Sequence, residues 1–217
     1  LNRPQRQALR SEDRAWLEAE RQAKAEREAQ SAIQLEYLGH ISVPNVTFNA
    51  DRFSEGRHFG YSTGAFTYIP ERDSFLLSGH VYGQLVAEIS NPGPGGEAEL
   101  LHDFVDVTEG RLQAQSEVLP HEVRIESLLY HCGRVIVSTE QFYNVQGTQL
   151  DTHGSFAPDL DNPQFSGWWG IGSYTGQSTG FYMTTIPDEY ATDGRTLLTG
   201  GSISWRAGSS AGPAAIL

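Results

Sequence analysis

The chain has 217 residues, 38% of them hydrophobic and 11% aromatic, which is enough to build a packed core and excludes wholesale disorder. The net charge is −12, and residues 35–217 alone carry −13, with 21 acidic side chains against eight arginines, which disfavours binding to nucleic acids and anionic membranes. Cys132 is the only cysteine, which excludes an intrachain disulfide and a cysteine-based zinc site, and no apolar run is long enough to predict a membrane-spanning helix.

The first 34 residues predict a charged α-helix. Between Ser11 and Gln34 there is no glycine or proline, and Ala, Glu, Gln, Arg and Leu dominate, which are strong helix formers. All 23 glycines lie at or after Gly39, so the composition changes at this point. We therefore predict an N-terminal helix over residues 1–36 and a β-rich domain over residues 37–217.

Between residues 2 and 34, the predicted helix carries four large apolar side chains, Leu9, Trp16, Leu17 and Ile33. A narrow stripe of alanines accompanies them, and small residues of this kind allow helices to approach closely. Because Leu9 and Trp16 are costly to leave in water, we predict that the helix attaches the protein to other subunits of an assembly. The alternative is a solvated helix that is supported by its own i, i+4 ion pairs.

From Gly39 onward, short apolar runs alternate with turn residues and predict an all-β domain. The predicted strands are Leu35–Val43, Gly64–Ile69, Ser74–Ser78, Gln84–Ser90, Arg124–Tyr130, Arg134–Thr139, Phe181–Thr185 and Ser202–Trp205. Only Pro187–Ala191 indicates further helix, of one turn at most.

Two stretches of this domain share one pattern: apolar strand, tight turn, apolar strand, aromatic-polar loop, strand. They lie about 60 residues apart, and a weaker third copy starts at Phe181, as is typical of propeller blades. Two or three blades do not close a ring, so we predict an incomplete propeller, with the apolar end 214–217 running on into a longer protein. Leu76 and Ile136 are predicted to be equivalent core positions in strands buried on both faces.

Four segments carry a resemblance to a known group of proteins. They are GAFTYIPERDSFLLSGHVYGQLVAEIS (Gly64–Ser90), FVDVTEGRL (Phe104–Leu112), IESLLYHCG (Ile125–Gly133) and LLTGGSISWRAGSSAGPAAI (Leu197–Ile216). On these segments the domain resembles mostly uncharacterised β-propeller-like proteins of bacteria and tailed phages. The resemblance implies a propeller-like fold and brings no catalytic residues with it. A helix that precedes a β-rich domain is also similar, in architecture alone, to tail fibres and other virion appendages.

The sequence predicts no catalytic residue, no cofactor and no zinc or iron site. The seven histidines form no metal-ligand spacing, and no nucleophile or phosphate-binding motif is present. His102 and Asp103 beside Asp106 are better explained as polar residues at strand ends. Residues Asp159–Asn162 leave calcium open, although the glycine and distant glutamate of an EF-hand are missing.

Two sets of aromatic residues are candidates for contact with a partner. The loops that follow the second strand of each repeat contain His80 and Tyr82, and Phe142 and Tyr143. The aromatic segment 165–182 suits either a packed core or stacking against sugars, and the sequence leaves both readings open.

We therefore expect a non-enzymatic structural or binding protein of an extracellular or virion-surface assembly. The concrete form is a phage tail fibre or related appendage, with other subunits bound through the N-terminal helix and a host-surface glycan as a further partner. The alternative is an exported bacterial β-propeller that binds or hydrolyses a carbohydrate or lactone. In both readings the protein binds no nucleic acid and inserts into no membrane.

Overall fold

The structure, a computed structural model, describes most of the β-rich part of the chain and a piece of the N-terminal helix. The described residues are 16–26, 36–46, 55–112, 115, 123–141, 149, 151–174, 179–201 and 216. The chain divides into two units, Leu1–Gly39 and His40–Leu217, each of which is described by itself.

In the first unit, residues 16–26 form an α-helix, α1, and every one of its side chains is exposed. The described residues thus confirm the middle of the predicted helix. The strand predicted at Leu35–Val43 is wrong over its described residues, because only Ser42 pairs there, in an isolated parallel bridge with Glu97. The chain is held there by backbone hydrogen bonds to the 95–98 loop rather than by a sheet ladder.

The second unit is mainly β and contains two four-stranded antiparallel sheets, each with its strands in chain order. The strands of sheet 1 are β1 (Phe66–Ile69), β2 (Ser74–Ser78), β3 (Val86–Ser90) and β4 (Leu100–Val105). The strands of sheet 2 are β5 (Val123–His131), β6 (Arg134–Gln141), β7 (Asp151–Phe156) and β8 (Ser166–Gly170). The strand–turn–strand repeat expected from the sequence is therefore present in both sheets, and no closed ring of sheets exists among the residues described.

A two-stranded hairpin of β9 (Tyr182–Thr185) and β10 (Leu197–Gly200) completes the set of described strands, and Ile216 forms a bridge with Thr199 of β10. A single 3-10 turn at Asp188–Tyr190 confirms the short helix expected at Pro187–Ala191. The helical geometry of residues 115 and 179 was not expected. The predicted strand at 202–205 lies outside the described residues.

The main core is formed by apolar side chains of both sheets. Its members are Ala65, Ile69, Leu76, Val86, Val107, Ile125, Leu128, Val135, Val137, Phe156, Leu160 and Phe165. Burial alternates along β2, so the expectation that this strand is buried on both faces is wrong. Leu76 is fully buried, whereas Ile136 is half-buried between the buried Val135 and Val137. The two predicted positions are therefore not equivalent, because the pleat turns Ile136 away from the core.

Polar contacts join sheet 1 to sheet 2 around this core. The Thr67 hydroxyl accepts a hydrogen bond from the backbone N–H of Tyr130 at 2.8 Å, so β1 and β5 lie side by side. Arg72 reaches Glu88 at 2.8 Å and also donates to the Pro158 carbonyl at 2.8 Å. Glu88 is buried, and the guanidinium therefore supplies the charge partner that a buried carboxylate needs.

The β9–β10 hairpin is fastened to sheet 2 by a buried imidazole, that of His153 in β7. Its Nε2 lies 3.0 Å from the Thr199 hydroxyl and its Nδ1 lies 2.8 Å from the Thr152 hydroxyl. The Thr199 hydroxyl donates its proton to the Thr179 carbonyl at 2.6 Å, so it accepts a hydrogen bond from His153. Nε2 of His153 is therefore the donor and Nδ1 is the acceptor. The network is satisfied by a neutral imidazole, and burial lowers the pKa of His153 to about 4.

Candidate functional site

At one end of sheet 1, the loop of residues 55–63 lies against the loop of residues 79–84 with their backbones nearly touching. Gly56 has a φ of +69°, and a Cβ added to it would lie 2.5 Å from the Cα of Gly83. Gly83 leaves as little room, since its own added Cβ would lie 2.8 Å from the Gly56 carbonyl oxygen. Glycine is therefore required at both positions, and the two loops form one closely packed unit.

Hydrogen bonds fix the shape of this loop pair. The N–H of Val81 donates to the carbonyl of Tyr61 at 3.1 Å, and the N–H of Gly83 donates to the carbonyl of His80 at 2.9 Å. Beneath them, the buried side chain of Gln84 donates to the Val81 carbonyl and accepts from the N–H of Ile125. The loop is thus tied to β5 of the other sheet as well as to its neighbour.

Three rings form a row on the outer side of these loops, and we call Tyr61, His80 and Tyr82 the aromatic row. The Tyr61 ring meets the His80 ring edge-on at 5.9 Å between centroids, and the Tyr82 ring lies 5.2 Å from His80 on a tilt. His80 is buried, whereas Tyr61 is 85% exposed and Tyr82 is 79% exposed. The row therefore exposes two phenol rings to solvent, and both rings contact the buried imidazole of His80.

A second buried imidazole, that of His58, supports the row with its ring centroid 4.5 Å from that of His80. Each imidazole accepts a backbone N–H at Nδ1, from Gly60 for His58 at 3.2 Å and from Tyr82 for His80 at 3.1 Å. An Nδ1 that accepts carries no proton, so both rings are neutral in this arrangement. Burial, and then the neighbouring His58, lower the pKa of His80, which keeps the row uncharged near neutral pH.

The sequence identified part of this site. Tyr82 is exposed as expected for a contact residue, whereas His80 serves as the buried support between the two tyrosines. Tyr61 was missed, although it stands in the same kind of setting, an aromatic residue among Gly, Ser and Thr at residues 60–64. Phe142 and Tyr143 lie outside the described residues.

Of the four residues predicted to attach the helix to other subunits, two lie among the described residues. Trp16 is 63% exposed and Leu17 is also exposed on α1. Leu9 and Ile33 lie outside the described residues.

The aromatic segment 165–182 contains both buried and exposed rings. Phe165 is buried in the core, and Trp168 packs on it at 4.7 Å while its Nε1–H donates to the carbonyl of Arg111 at 3.1 Å. Trp169, Tyr174 and Tyr182 are exposed.

The carboxylates suspected of metal binding have protein partners. Asp159 accepts the N–H of Asp161 at 3.1 Å, and the Asp161 carboxylate contacts His102 Nε2 at 3.1 Å. Asp106 accepts the hydroxyl of Thr108 at 2.6 Å and shapes its own turn. Over the part of the chain that the structure describes, no three His, Cys, Asp or Glu side chains group as metal ligands.

Comparison with known proteins yields no relative: no protein-family model, no curated protein and no solved structure matches the chain. None of the helices described is long and apolar enough to cross a membrane. The function is therefore inferred from the geometry of the two units.

Proposed function

We propose that the protein is a non-enzymatic structural and binding component of an extracellular assembly, such as a phage tail fibre or related virion appendage. The N-terminal helix joins the subunits of this assembly, and the β-rich unit carries the binding surface. The observation that carries the proposal is the exposure of Trp16 and Leu17 on α1. An exposed tryptophan forfeits the free energy that its burial against another helix supplies, about 2–3 kcal/mol for a large apolar side chain.

The charge pattern supports this division of labour. Residues 1–34 are nearly neutral, with seven basic and six acidic groups, so helices of this kind do not repel one another strongly. The remaining residues carry 21 acidic groups against eight arginines, which keeps copies of the β-rich unit apart and soluble. Association through the helices is therefore favoured over association through the β-rich units.

The repeated four-stranded meander is the basis for the finer part of the proposal, that sheets 1 and 2 are propeller-like blades. Each blade of a propeller is a four-stranded antiparallel sheet with its strands in chain order, as in both sheets here. The contact between β1 and β5, made by the Tyr130 N–H with the Thr67 hydroxyl, supports this reading, since first strands of neighbouring blades are adjacent. Further blades would come from other chains of the assembly or from a longer protein.

The test uses the full chain with Trp16→Ser and Leu17→Ser combined, and sedimentation velocity as the measurement. We expect the unmodified protein to sediment as an oligomer and the double variant to shift toward the monomer. Tyr190→Ser is the matched control, because Tyr190 is 67% exposed but lies in the β-rich unit, and it should leave the oligomer intact. An unchanged sedimentation coefficient in the double variant, or a monomeric unmodified protein, would contradict the proposal.

The aromatic row favours a second candidate function, an exported β-propeller that binds or hydrolyses a carbohydrate or lactone. Exposed tyrosines suit the binding half of that description. Two carboxylates of this region, those of Glu55 and Asp103, pair with Arg57 at 2.9 and 3.6 Å, so we assign no acid–base pair to the hydrolytic half. A monomeric protein that releases reducing sugar from an oligosaccharide would favour this candidate over the assembly component.

A further inference from the structure

We propose that the aromatic row binds a neutral carbohydrate chain, with Tyr61 and Tyr82 as the two stacking faces. This inference names the ligand class of the β-rich unit and rests on the binding role proposed for that unit above. The carrying observation is the pair of exposed phenol rings held on either side of one buried imidazole.

The row is built to stay exposed. Tyr61 has a φ of +53°, a left-handed conformation that non-glycine residues adopt at a cost, so its position is imposed by the surrounding loop. The contact of Gly56 with Gly83 and the ring contact of His58 with His80 hold that loop from below. Side chains of tyrosine have only two rotatable angles, so a ligand that stacks on these rings orders little that is not already ordered.

The chemistry of the surface fits a sugar better than a protein. A pyranose ring has a C–H face that stacks on an aromatic ring and a rim of hydroxyls that seeks hydrogen bonds. The row offers two isolated ring faces, with the charged side chains of Glu55 and Arg57 in the same loop. A stable protein interface instead buries about 800 Å² per partner around a continuous apolar centre, and two separate phenols do not form such a centre.

The local charge selects a neutral ligand. Arg57 lies 2.9 Å from Glu55 and 3.6 Å from Asp103, so its guanidinium stands between two carboxylates. The unit as a whole is strongly acidic, and the row itself is uncharged because its imidazole is neutral. An anionic glycan would meet the negative field of an acidic unit in which Arg57 is already paired with carboxylates, whereas a neutral glycan meets no such penalty.

The spacing of the rings sets the size of the ligand. The two phenol rings lie no farther apart than the sum of their distances to His80, which are 5.9 and 5.2 Å between centroids. A stretch of two or three sugar residues spans such a distance. We therefore infer that an oligosaccharide that contacts both rings binds more tightly than a monosaccharide that contacts one of them.

The experiment titrates the full chain with five neutral hexasaccharides by isothermal calorimetry: cellohexaose, laminarihexaose, maltohexaose, mannohexaose and chitohexaose. Hexagalacturonate serves as the anionic comparison. We expect at least one neutral hexasaccharide to bind, and Tyr82→Ala and Tyr61→Ala each to weaken binding about tenfold through loss of the stacked face. Tyr82→Phe keeps the ring and should bind within about twofold of the unmodified protein, and Tyr190→Ala, an exposed tyrosine outside the row, should bind equally well.

Three results would overturn the inference: no neutral hexasaccharide binds, Tyr82→Ala binds as tightly as the unmodified protein, or hexagalacturonate binds more tightly than every neutral chain. Loss of the oligomer in the Tyr61→Ala and Tyr82→Ala variants without any sugar binding would assign the row to protein contact and overturn it too. Failure of the assembly role is distinguishable. In that case the Trp16→Ser/Leu17→Ser variant sediments unchanged while sugar binding persists, whereas failure of the present inference leaves the helix-dependent oligomer intact and abolishes only sugar binding.

Discussion

Protonation of His153 should destabilise the β-rich unit in mildly acidic solution. The imidazole is buried in β7 and its pKa is lowered to about 4 by burial, against 6.5 in the unfolded chain. Because the folded pKa is the lower one, the unfolded chain takes up the proton first. Stability is therefore complete above about pH 6.5 and is lost as the pH falls toward about 4.

The magnitude follows from the two pKa values. Each pKa unit corresponds to about 1.4 kcal/mol, so the difference from 6.5 to about 4 amounts to about 3 kcal/mol when protonation is complete, and about 2 kcal/mol is lost by pH 5. The hydrogen bonds agree with the sign, because an imidazolium would place a proton on Nδ1, where the neutral ring accepts from Thr152. Charging the ring therefore breaks a bond as well as burying a charge.

The assay is urea unfolding of the full chain and of His153→Gln at pH 7, 6 and 5, followed by circular dichroism. Glutamine keeps a donor and an acceptor but does not titrate, so the unmodified protein should lose about 2 kcal/mol more than the variant between pH 7 and pH 5. His102→Gln is the control. Its hydrogen bond to Asp161 raises the pKa of His102, so that histidine stabilises the fold at low pH, the opposite sign. Parallel pH profiles for the unmodified protein and His153→Gln would refute the reasoning.

Two further predictions concern packing and backbone. Leu76→Ala should cost about 3 kcal/mol of unfolding free energy and Ile136→Ala about 1 kcal/mol, because Leu76 is fully buried and Ile136 half-buried; equal costs in urea unfolding would contradict the assigned register. Gly56→Ala should destabilise by at least about 2 kcal/mol more than Gly64→Ala, since both have positive φ but only Gly56 faces a backbone atom at 2.5 Å. The difference in their thermal midpoints measures this, and equal midpoints would show that the two loops separate freely.

Several strands that hold apolar residues between turn residues were predicted correctly from the sequence. β2 and β3, for example, contain runs such as SFLLS and VAEIS between turn residues, and both were located within two residues of their ends. β7 was missed because its sequence, DTHGSF, holds one large apolar residue. β7 is buried nevertheless, because threonine hydroxyls and the imidazole of His153 form hydrogen bonds with one another inside the fold. A strand buried in this way has no hydrophobic periodicity by which the sequence could predict it.

The error at Ile136 has a related cause. An apolar run such as that at 135–137 does not reveal which of its residues faces the core, since a shift of one residue exchanges the two faces. The structure settles the phase through pairing: Val135 lies opposite Phe156 and Val137 opposite Gly154, and the valines point into the core. The sequence therefore predicted the strand but not its register.

The aromatic row illustrates why a site can be found only in part from sequence. Tyr82 stood out because it follows a strand in a polar loop, but its partner Tyr61 lies 21 residues earlier and joins it only through the packing of Gly56 on Gly83. At the matching end of sheet 2, Gln141 and Gln149 are buried and bonded to each other, the N–H of Gln141 donating to the Gln149 side chain at 2.7 Å. The two sheets share a strand order, yet in sheet 1 this end exposes aromatic rings and in sheet 2 its described residues bury amides. The described ends of the two sheets therefore differ in the side chains they carry, because a shared strand order does not determine the residues at the strand ends.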